Sequence, residues 1–190
     1  MISPQSRNPA ARGLIVAATS ALGLELADLV PLAGGFSVRS ATMRITAWTG
    51  VRSSSLADDC RKGSSLLAAD DGSMSCLEVM LVDGLKPFGL DAGWVQAFPS
   101  GGTRWAGSIW RTLPRLIADR NGRVQQALGR RPNAVGGHSD VAATDGRSVA
   151  YLECKVRDRI KVTQVDWIVT ALQIGAISAE EILVVQGALA

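Results

Sequence analysis

Three charged residues stand in a part of the chain where apolar strand residues are expected. Asp140, Glu153 and Lys155 lie in two apolar, alternating runs on either side of Asp145-Gly146. This dipeptide favours a two-residue hairpin loop, because both loop positions need positive φ. Side chains two residues apart in a strand, and side chains directly opposite, project from one face. The pattern therefore predicts that the three charged side chains share one face of a β-hairpin.

The predicted loop also sets a pairing register. It places Asp140 opposite Tyr151 and His138 opposite Glu153, so that Asp140 and Glu153 are diagonal neighbours, roughly 7–8 Å apart at the backbone. The other face of the hairpin is predicted to be a core face, with Val141, Ala143, Ala150, Leu152, Cys154 and Val156. If both faces are covered, the charged residues lie in a partly buried cleft.

Two carboxylates and one lysine in such a cleft are costly unless they are paired or bind a cation. One lysine cannot neutralise two close carboxylates, whereas Mg²⁺ accepts a few carboxylates plus waters. A cation held by Asp140 and Glu153 would polarise a phosphodiester and lower the pKa of a water. Lys155 would then orient that water or stabilise charge on the phosphate oxygens. The simpler alternative is a structural salt bridge of Lys155 with either carboxylate.

The motif resembles a known family. Asp140, twelve residues and then Glu153-Cys154-Lys155 resemble the D-x(n)-(D/E)-x-K pattern of the PD-(D/E)XK nuclease superfamily. The following "ECKVRDRIKVTQVDWI" resembles the VRR-NUC branch, in which a basic stretch and a helix bearing Q-x-x-W come after the strand. Gln164 and Trp167 stand at those positions. Ser139 replaces the proline that usually precedes the aspartate.

The resemblance extends upstream and covers about residues 73–190. There "CLEVMLVDGLKPFGLDAGWVQAFPSGG" is similar to the family's opening helix with its glutamate, followed by a strand. It implies a restriction-endonuclease-like core and a Mg²⁺- or Mn²⁺-dependent nuclease that hydrolyses DNA. The implied catalytic residues are Asp140, Glu153, Lys155 and Gln164; the implied metal ligands are Asp140, Glu153, the backbone carbonyl of Cys154 and, through water, Glu78.

Basic residues indicate where DNA would lie. From Arg104 to Arg131 the chain has seven arginines and one acid, Asp119, which is typical of a phosphate-facing surface or of a solvated helix face. The candidate DNA contacts are Arg157, Arg159 and Lys161, after the motif strand, and Arg111 and Arg115 in the basic block. A homodimer is a possible assembly, because cutting both strands often needs two sites.

Two other interpretations stay open. One is a non-catalytic nucleic-acid-binding module on the same fold, with a vestigial or structural metal site. The other is an unrelated α/β domain whose hairpin holds a structural salt bridge. An intact set of Asp140, Glu153 and Lys155 favours the enzyme over both.

The elements that must position these residues alternate between helix and strand. The predicted elements are a helix at about 75–86, a strand at 93–99, one or two helices broken near Pro114 and Asn121-Gly122, the hairpin, a helix at 161–175 and a strand at 182–185. This order predicts an α/β fold with a mixed central sheet flanked by helices. Residues 73–190 form the predicted nuclease domain, with a basic helical insert at about 103–135. Residues 1–72 are an additional, mostly helical segment, including one helix over 13–31.

Composition limits the other classes of function. The chain has 190 residues, of which 47% are hydrophobic, enough for one well-packed domain. Its three cysteines include no C-x-x-C pair and it has one histidine, which argues against disulfides and zinc sites. The apolar run after Arg12 ends at Glu25 and Asp28, too short and too charged to span a bilayer. A cytoplasmic protein without a membrane partner is expected.

Overall fold

The structure is a computed structural model that describes residues 9–48, 67–69, 74–97, 103–106, 110–111, 113–132, 134, 136–156 and 159–189. Its α-helices are α1 (Pro9–Ala21), α2 (Leu77–Leu85), α3 (Arg115–Ala127) and α4 (Val162–Gln173). Its strands are β1 (Glu25–Pro31), β2 (Ser37–Trp48), β3 (Leu67–Ala69), β4 (Met74–Ser75), β5 (Asp91–Ala97), β6 (Thr103–Ala106), β7 (Trp110–Arg111), β8 (Val141–Thr144), β9 (Val149–Lys155) and β10 (Ile182–Leu189). Short 3-10 turns lie at Ala33–Gly35, Lys86–Phe88 and Ala179–Glu181.

All the described strands belong to one mixed sheet. The order is β4-β3-β2-β10-β9-β8-β5-β6-β7, and β1 pairs with β2. Strand β10 runs parallel to both β2 and β9, and the remaining pairings are antiparallel. Six contiguous strands, β1, β2, β10, β9, β8 and β5, form its central part. The prediction of an α/β fold with a mixed sheet flanked by helices is confirmed.

Helices cover the two faces of this sheet with separate cores. Helices α1 and α2 pack on one face, in a cluster that includes Ile15, Leu81, Leu85, Val141 and Leu152. Helices α3 and α4 pack on the other face, in a cluster that includes Ile117, Val124, Tyr151, Trp167 and Ile168. Every side chain of the hairpin strands β8 and β9 is buried. The hairpin is therefore the centre of the molecule.

The predicted single helix over residues 13–31 is wrong in its second half. Helix α1 ends at Ala21, and Gly23 adopts a left-handed φ of 59°, which favours glycine and ends the helix. Strand β1 follows, and its Leu26 and Leu29 are 53% and 61% exposed. The helical spacing of these leucines is overruled by pairing of β1 with β2, a contact that local sequence does not specify.

The segment before residue 73 is also less helical than predicted. Its longest described element is β2, which pairs in parallel with β10 through the register Leu183–Arg39 to Leu189–Ile45. Residues 25–48 therefore contribute strands to the same sheet as the hairpin.

The basic segment at 103–135 is not simply a helical insert. Strands β6 and β7 extend the sheet beyond β5, and one helix, α3, follows. The predicted break at Asn121-Gly122 is wrong, because α3 continues through both residues. Asn121 is buried and its side chain hydrogen-bonds neighbouring elements, which stabilises the helix against its unfavourable local propensity.

The remaining elements agree with the sequence. Helix α2 lies within the predicted 75–86, α4 within 161–175, β5 overlaps 93–99 and β10 begins at Ile182. Across the described ranges, no helix combines the length and apolar character that crossing a membrane requires.

Candidate active site

The hairpin has a four-residue loop, so the predicted pairing register is wrong by two residues. Strands β8 and β9 pair Val141 with Leu152 and Thr144 with Val149. The predicted pairs, Asp140 with Tyr151 and His138 with Glu153, do not form. Instead, Asp140 immediately precedes Val141 and Glu153 immediately follows Leu152. In this register the two acidic residues lie directly opposite each other.

Side-chain hydrogen bonds explain the longer loop. Asp145 Oδ1 accepts the backbone N–H of Arg147 at 2.8 Å and of Ser148 at 2.7 Å. The Thr144 hydroxyl donates to the Ser148 carbonyl at 2.6 Å and accepts from the Gly146 N–H at 3.0 Å. Gly146 has a φ of 86°, which the loop requires. Asp145 therefore stabilises this turn through its carboxylate rather than through its backbone dihedrals.

A shift of two residues leaves the assignment of faces unchanged, because strand side chains alternate with period two. The predicted core face is confirmed: Val141, Ala143, Ala150, Leu152 and Cys154 lie in the core beneath α1 and α2, with Val156 packed against it. Asp140, Glu153 and Lys155 meet on the side of α4.

The ammonium of Lys155 is the centre of this cluster. Its Nζ lies 2.5 Å from Glu153 Oε1 and 3.9 Å from Asp140 Oδ2. It also donates to Gln164 Oε1 at 3.2 Å. Lys155 and Glu153 are buried, whereas the Asp140 side chain is 13% exposed. The cluster therefore opens toward solvent at Asp140.

Glu153 carries an unbalanced carboxylate. Lys155 Nζ and Gln164 Nε2 both contact its Oε1, but Oε2 has no hydrogen-bond partner among the described residues. Burial, reinforced by repulsion from Asp140 and only partly offset by Lys155, raises the pKa of Glu153 to about 8. The pair of carboxylates thus has too little positive charge around it.

Gln164 comes from the first turn of α4. Its Oε1 accepts the backbone N–H of Lys161 at 3.0 Å, the residue that caps the helix, and its Nε2 donates to Glu153. Trp167, one turn later, is fully buried and anchors the helix on the sheet. The helix after the motif strand thus places Gln164 against Glu153 and Lys155, and Trp167 is a core residue.

Backbone contacts hold Asp140 in place. Its Oδ2 accepts the N–H of Cys154 at 3.1 Å, and its carbonyl accepts the N–H of Val95 in β5 at 2.8 Å. Gly137, three residues earlier, has a φ of 86°, and a Cβ there would lie 2.1 Å from the carbonyl oxygen of Thr163 in α4. Only glycine lets the chain before Asp140 approach the first turn of α4 so closely.

An aromatic cluster lies next to the site on the same face. The ring of His138 is 5.5 Å from that of Tyr151 and 4.7 Å from that of Trp167, between centroids. Burial lowers the pKa of His138 to about 4, so the ring is neutral, and its Nδ1 contacts the Ser139 carbonyl at 2.8 Å. His138 packs between β9 and α4 rather than opposite Glu153.

The predicted accessory acid and the predicted DNA contacts lie on other elements of the fold. Glu78 is buried in the first turn of α2, a helix that packs on the opposite face of the sheet. Arg159 and Lys161 are exposed just before α4. Arg115 is exposed at the start of α3 and pairs with Asp119 at 3.6 Å. Arg111 lies in β7, and Arg157 is outside the described residues.

A divalent cation fits the donors that converge here. Asp140 and Glu153 offer hard carboxylate oxygens, and the buried Oε2 of Glu153 lacks a donor. The Cys154 carbonyl lies in β9 between Glu153 and Lys155. No group of three or more His, Cys, Asp or Glu side chains able to hold a metal occurs within the described part of the chain. Waters would therefore complete the shell, an arrangement that Mg²⁺ favours.

Sequence patterns missed a polar network beside the site. The side chain of Asn121 donates to the Ala134 carbonyl at 2.8 Å and accepts from Trp167 Nε1 at 3.1 Å. Gln125 Nε2 donates to the Gly136 carbonyl at 3.2 Å. These residues tie α3 to α4 and to the chain that leads to Asp140. Two polar residues one turn apart in a basic helix carry no signal that distinguishes them from surface residues.

Comparison of the chain with protein-family models, with curated proteins and with solved structures found no match in any of the three.

Proposed function

We propose that this chain is a divalent-cation-dependent nuclease that hydrolyses phosphodiester bonds in DNA. The observation that carries the proposal is the convergence of Asp140 and Glu153 on one buried ammonium, Lys155, with Glu153 Oε2 left without a donor. A second carboxylate in a buried pair is costly unless a further positive charge compensates for it. A Mg²⁺ or Mn²⁺ ion at the two carboxylates would supply that charge.

The residues of the cluster divide the chemistry between them. Asp140, Glu153 and the Cys154 carbonyl would hold the cation, which when bound acts as a Lewis acid on the phosphate and lowers the pKa of a water. Lys155 presents its N–H donors beside both carboxylates, where it would orient the attacking water and stabilise charge on the phosphate oxygens. Gln164 accepts a hydrogen bond from Lys155 and donates to Glu153, so it fixes both side chains.

This division of roles agrees with the motif of the PD-(D/E)XK superfamily and its VRR-NUC branch, which favours a restriction-endonuclease-like core for residues 73–190. In that interpretation Glu78 is an accessory acid; this role comes from the resemblance alone, because α2 packs on the face of the sheet opposite α4. Arg159 and Lys161, exposed before α4, would contact the DNA backbone together with Arg157, Arg111 and Arg115.

A second candidate function is a nucleic-acid-binding module without catalysis. The observation that favours it is that Lys155 and Gln164 already contact Glu153 Oε1, so that part of the carboxylate is satisfied by the protein itself. In this case the cluster is a structural element and the basic residues alone contact the ligand.

The test is cleavage of a panel of end-labelled DNA structures (duplex, single strand, flap and junction) with Mg²⁺ and with Mn²⁺. Asp140→Asn, Glu153→Gln and Lys155→Met should each lower the rate of cleavage by about 10²-fold or more while the proteins stay folded. Glu181→Gln is a matched control, because it changes a buried carboxyl of another ion pair. Unchanged cleavage in all three variants would refute the catalytic assignment. Binding of DNA without cleavage by the wild type would favour the binding module.

A further inference from the structure

A loop that the motif does not include lies next to the site. Residues 130–137 connect α3 to the chain before Asp140, and Gly137 lies against the Thr163 carbonyl in the first turn of α4. Lys161 and Arg159 come immediately before that turn. The loop between α3 and β8 and the segment before α4 are therefore neighbours in space.

Hydrogen bonds fix this loop. Arg130 Nη1 donates to the Gly136 carbonyl at 2.7 Å, and Gln125 Nε2 donates to the same oxygen at 3.2 Å. The Ala134 N–H donates to the Arg131 carbonyl at 2.9 Å, and the Ala134 carbonyl accepts from Asn121. These bonds fix the described residues of the loop before any ligand binds, which lowers the entropic cost of binding through their side chains.

The described charged residues of the two segments are basic, whereas Asp158, which precedes Arg159 in the sequence, lies outside the described residues. Arg131, Arg159 and Lys161 are exposed, and Arg130 is partly exposed. Nearby acids among the described residues are Asp140 and Glu153, which belong to the candidate active site, and Asp166, exposed one turn into α4. Basic side chains on two segments that lead into the candidate active site match a polyanion, since Lys and Arg contribute most of the affinity for a nucleic-acid backbone.

We propose that Arg130 and Arg131 form, with Arg159 and Lys161, one surface that binds the DNA phosphates next to the candidate active site. The proposal rests on the proposed function and extends it, because the motif assigns no role to the α3–β8 loop. Arg131 is the side chain on which it depends most, since Arg130 also stabilises the loop through Gly136. Contacts to phosphates carry no sequence information, so the surface supplies affinity and orientation rather than base specificity.

The experiment measures DNA affinity by fluorescence anisotropy against salt concentration, in an Asp140→Asn background that does not cut. Arg131→Gln should weaken binding about tenfold and lower the salt slope by about 1, and adding Lys161→Gln should weaken it further. Arg147→Gln is the matched control, because Arg147 is an exposed arginine in the hairpin loop, about 14 Å along the strand from Asp140. Thermal melts should show that all variants stay folded.

The outcomes separate this inference from the proposed function. If Arg131→Gln binds DNA as tightly as its parent, or no more weakly than Arg147→Gln, the surface is overturned while metal-dependent cleavage by the wild type stands. If the wild type neither cuts nor binds DNA, both are overturned. Tighter binding of an RNA of the same sequence would overturn DNA as the partner of the surface.

Discussion

Two buried ion pairs lie on the α3–α4 side of the sheet, and they differ in how fully their groups are satisfied. In the first, Arg120 of α3 contacts Glu181 Oε1 at 2.5 Å, and Glu181 Oε2 accepts the Ser178 N–H at 2.8 Å. Each oxygen of that carboxylate has one donor, and the charges match one to one. In the second, Lys155 faces the two carboxylates of Glu153 and Asp140, and one oxygen of Glu153 has no donor among the described residues.

The difference separates a structural pair from a candidate site. A complete pair in the interior has no place for a further cation, and it fixes the 3-10 turn at Ala179–Glu181 to α3. In the incomplete pair, burial and the neighbouring Asp140 raise the pKa of Glu153 to about 8, so the metal-free protein compensates for the second carboxylate with a proton that a bound cation would replace. The two clusters should therefore respond differently when their charges are removed.

The largest effect is expected when the complete pair is broken. Arg120→Met would leave the Glu181 carboxylate buried and unpaired, and should lower the free energy of unfolding by about 3–5 kcal/mol. Cleavage per folded molecule should stay within a few fold of the wild type, because Arg120 is outside the active cluster. Urea denaturation measures the free energy of unfolding, and a DNA-cleavage assay at low temperature measures the activity per folded molecule. Arg123→Met, at an exposed position of the same helix, is the control and should change stability by less than about 0.5 kcal/mol.

The incomplete pair should respond in the opposite way. Lys155→Met should lower the rate of DNA cleavage by about 10²–10³-fold, equivalent to about 3–4 kcal/mol of transition-state stabilisation. Lys155→Met should lower the free energy of unfolding by less than Arg120→Met does. Glu153 has a pKa of about 8 and is protonated at neutral pH, so the loss of Lys155 does not leave it as a buried, unpaired charge. Single-turnover cleavage and urea denaturation of the same preparation check both. A Lys155→Met protein that is strongly destabilised yet cuts normally would identify this pair as structural.

The third prediction concerns cation binding and pH. In metal-free protein, Glu153 keeps its proton up to a pKa of about 8, whereas the unfolded chain releases it near pH 4.5. Because the pKa is raised in the folded protein, protonated Glu153 contributes to the free energy of unfolding. That contribution is fully present below about pH 4.5 and is lost as pH rises through 8. Urea denaturation at a series of pH values measures how the free energy of unfolding depends on pH. Glu153→Gln should lose the decrease between about pH 4.5 and 8, and Glu181→Gln should retain it.

A divalent cation should offset that loss. At a concentration 100 times its Kd, Mn²⁺ should raise the unfolding free energy of the wild type at pH 8 by about 2.7 kcal/mol. The increase should be smaller at pH 5, where protons compete for the carboxylates. Calorimetry with and without Mn²⁺ gives the measurement. An equal increase in an Asp140→Asn/Glu153→Gln double variant would place the cation elsewhere.

The smallest effect is expected at the hairpin loop, which belongs to neither pair. Asp145 accepts two backbone N–H bonds, from Ser148 and Arg147, and these lower its pKa. Its stabilising effect is therefore present at neutral pH and is lost as pH falls through that lowered pKa. Asp145→Ala should cost about 1 kcal/mol at pH 7 and leave cleavage unchanged. Asp145→Asn, which keeps one acceptor oxygen, should recover much of the stability; a large loss of cleavage in either variant would show that the register controls the site.

The sequence by itself determined which side chains share a face. Strand side chains alternate with period two, so Asp140, Glu153 and Lys155 stay together whether the hairpin loop has two residues or the observed four. The helices α2 and α4 and the strand β10 follow in the same way from local periodicity and from glycine positions. Local patterns suffice for these features because the interactions that fix them lie within a few residues.

Only the tertiary structure decided how the site is assembled. The carboxylate of Asp145, not its backbone preference, set the register that aligns Asp140 with Glu153. Gln164 reaches Glu153 because α4 packs on β9 and Gly137 lets the chains approach. Residues 25–48 form strands because β2 pairs with β10, which is far away in the sequence. The register depends on side-chain hydrogen bonds within the loop, which the Asp-Gly pattern does not distinguish from a two-residue turn. The other two features depend on contacts between distant residues, whose free energy is absent from any local stretch of sequence.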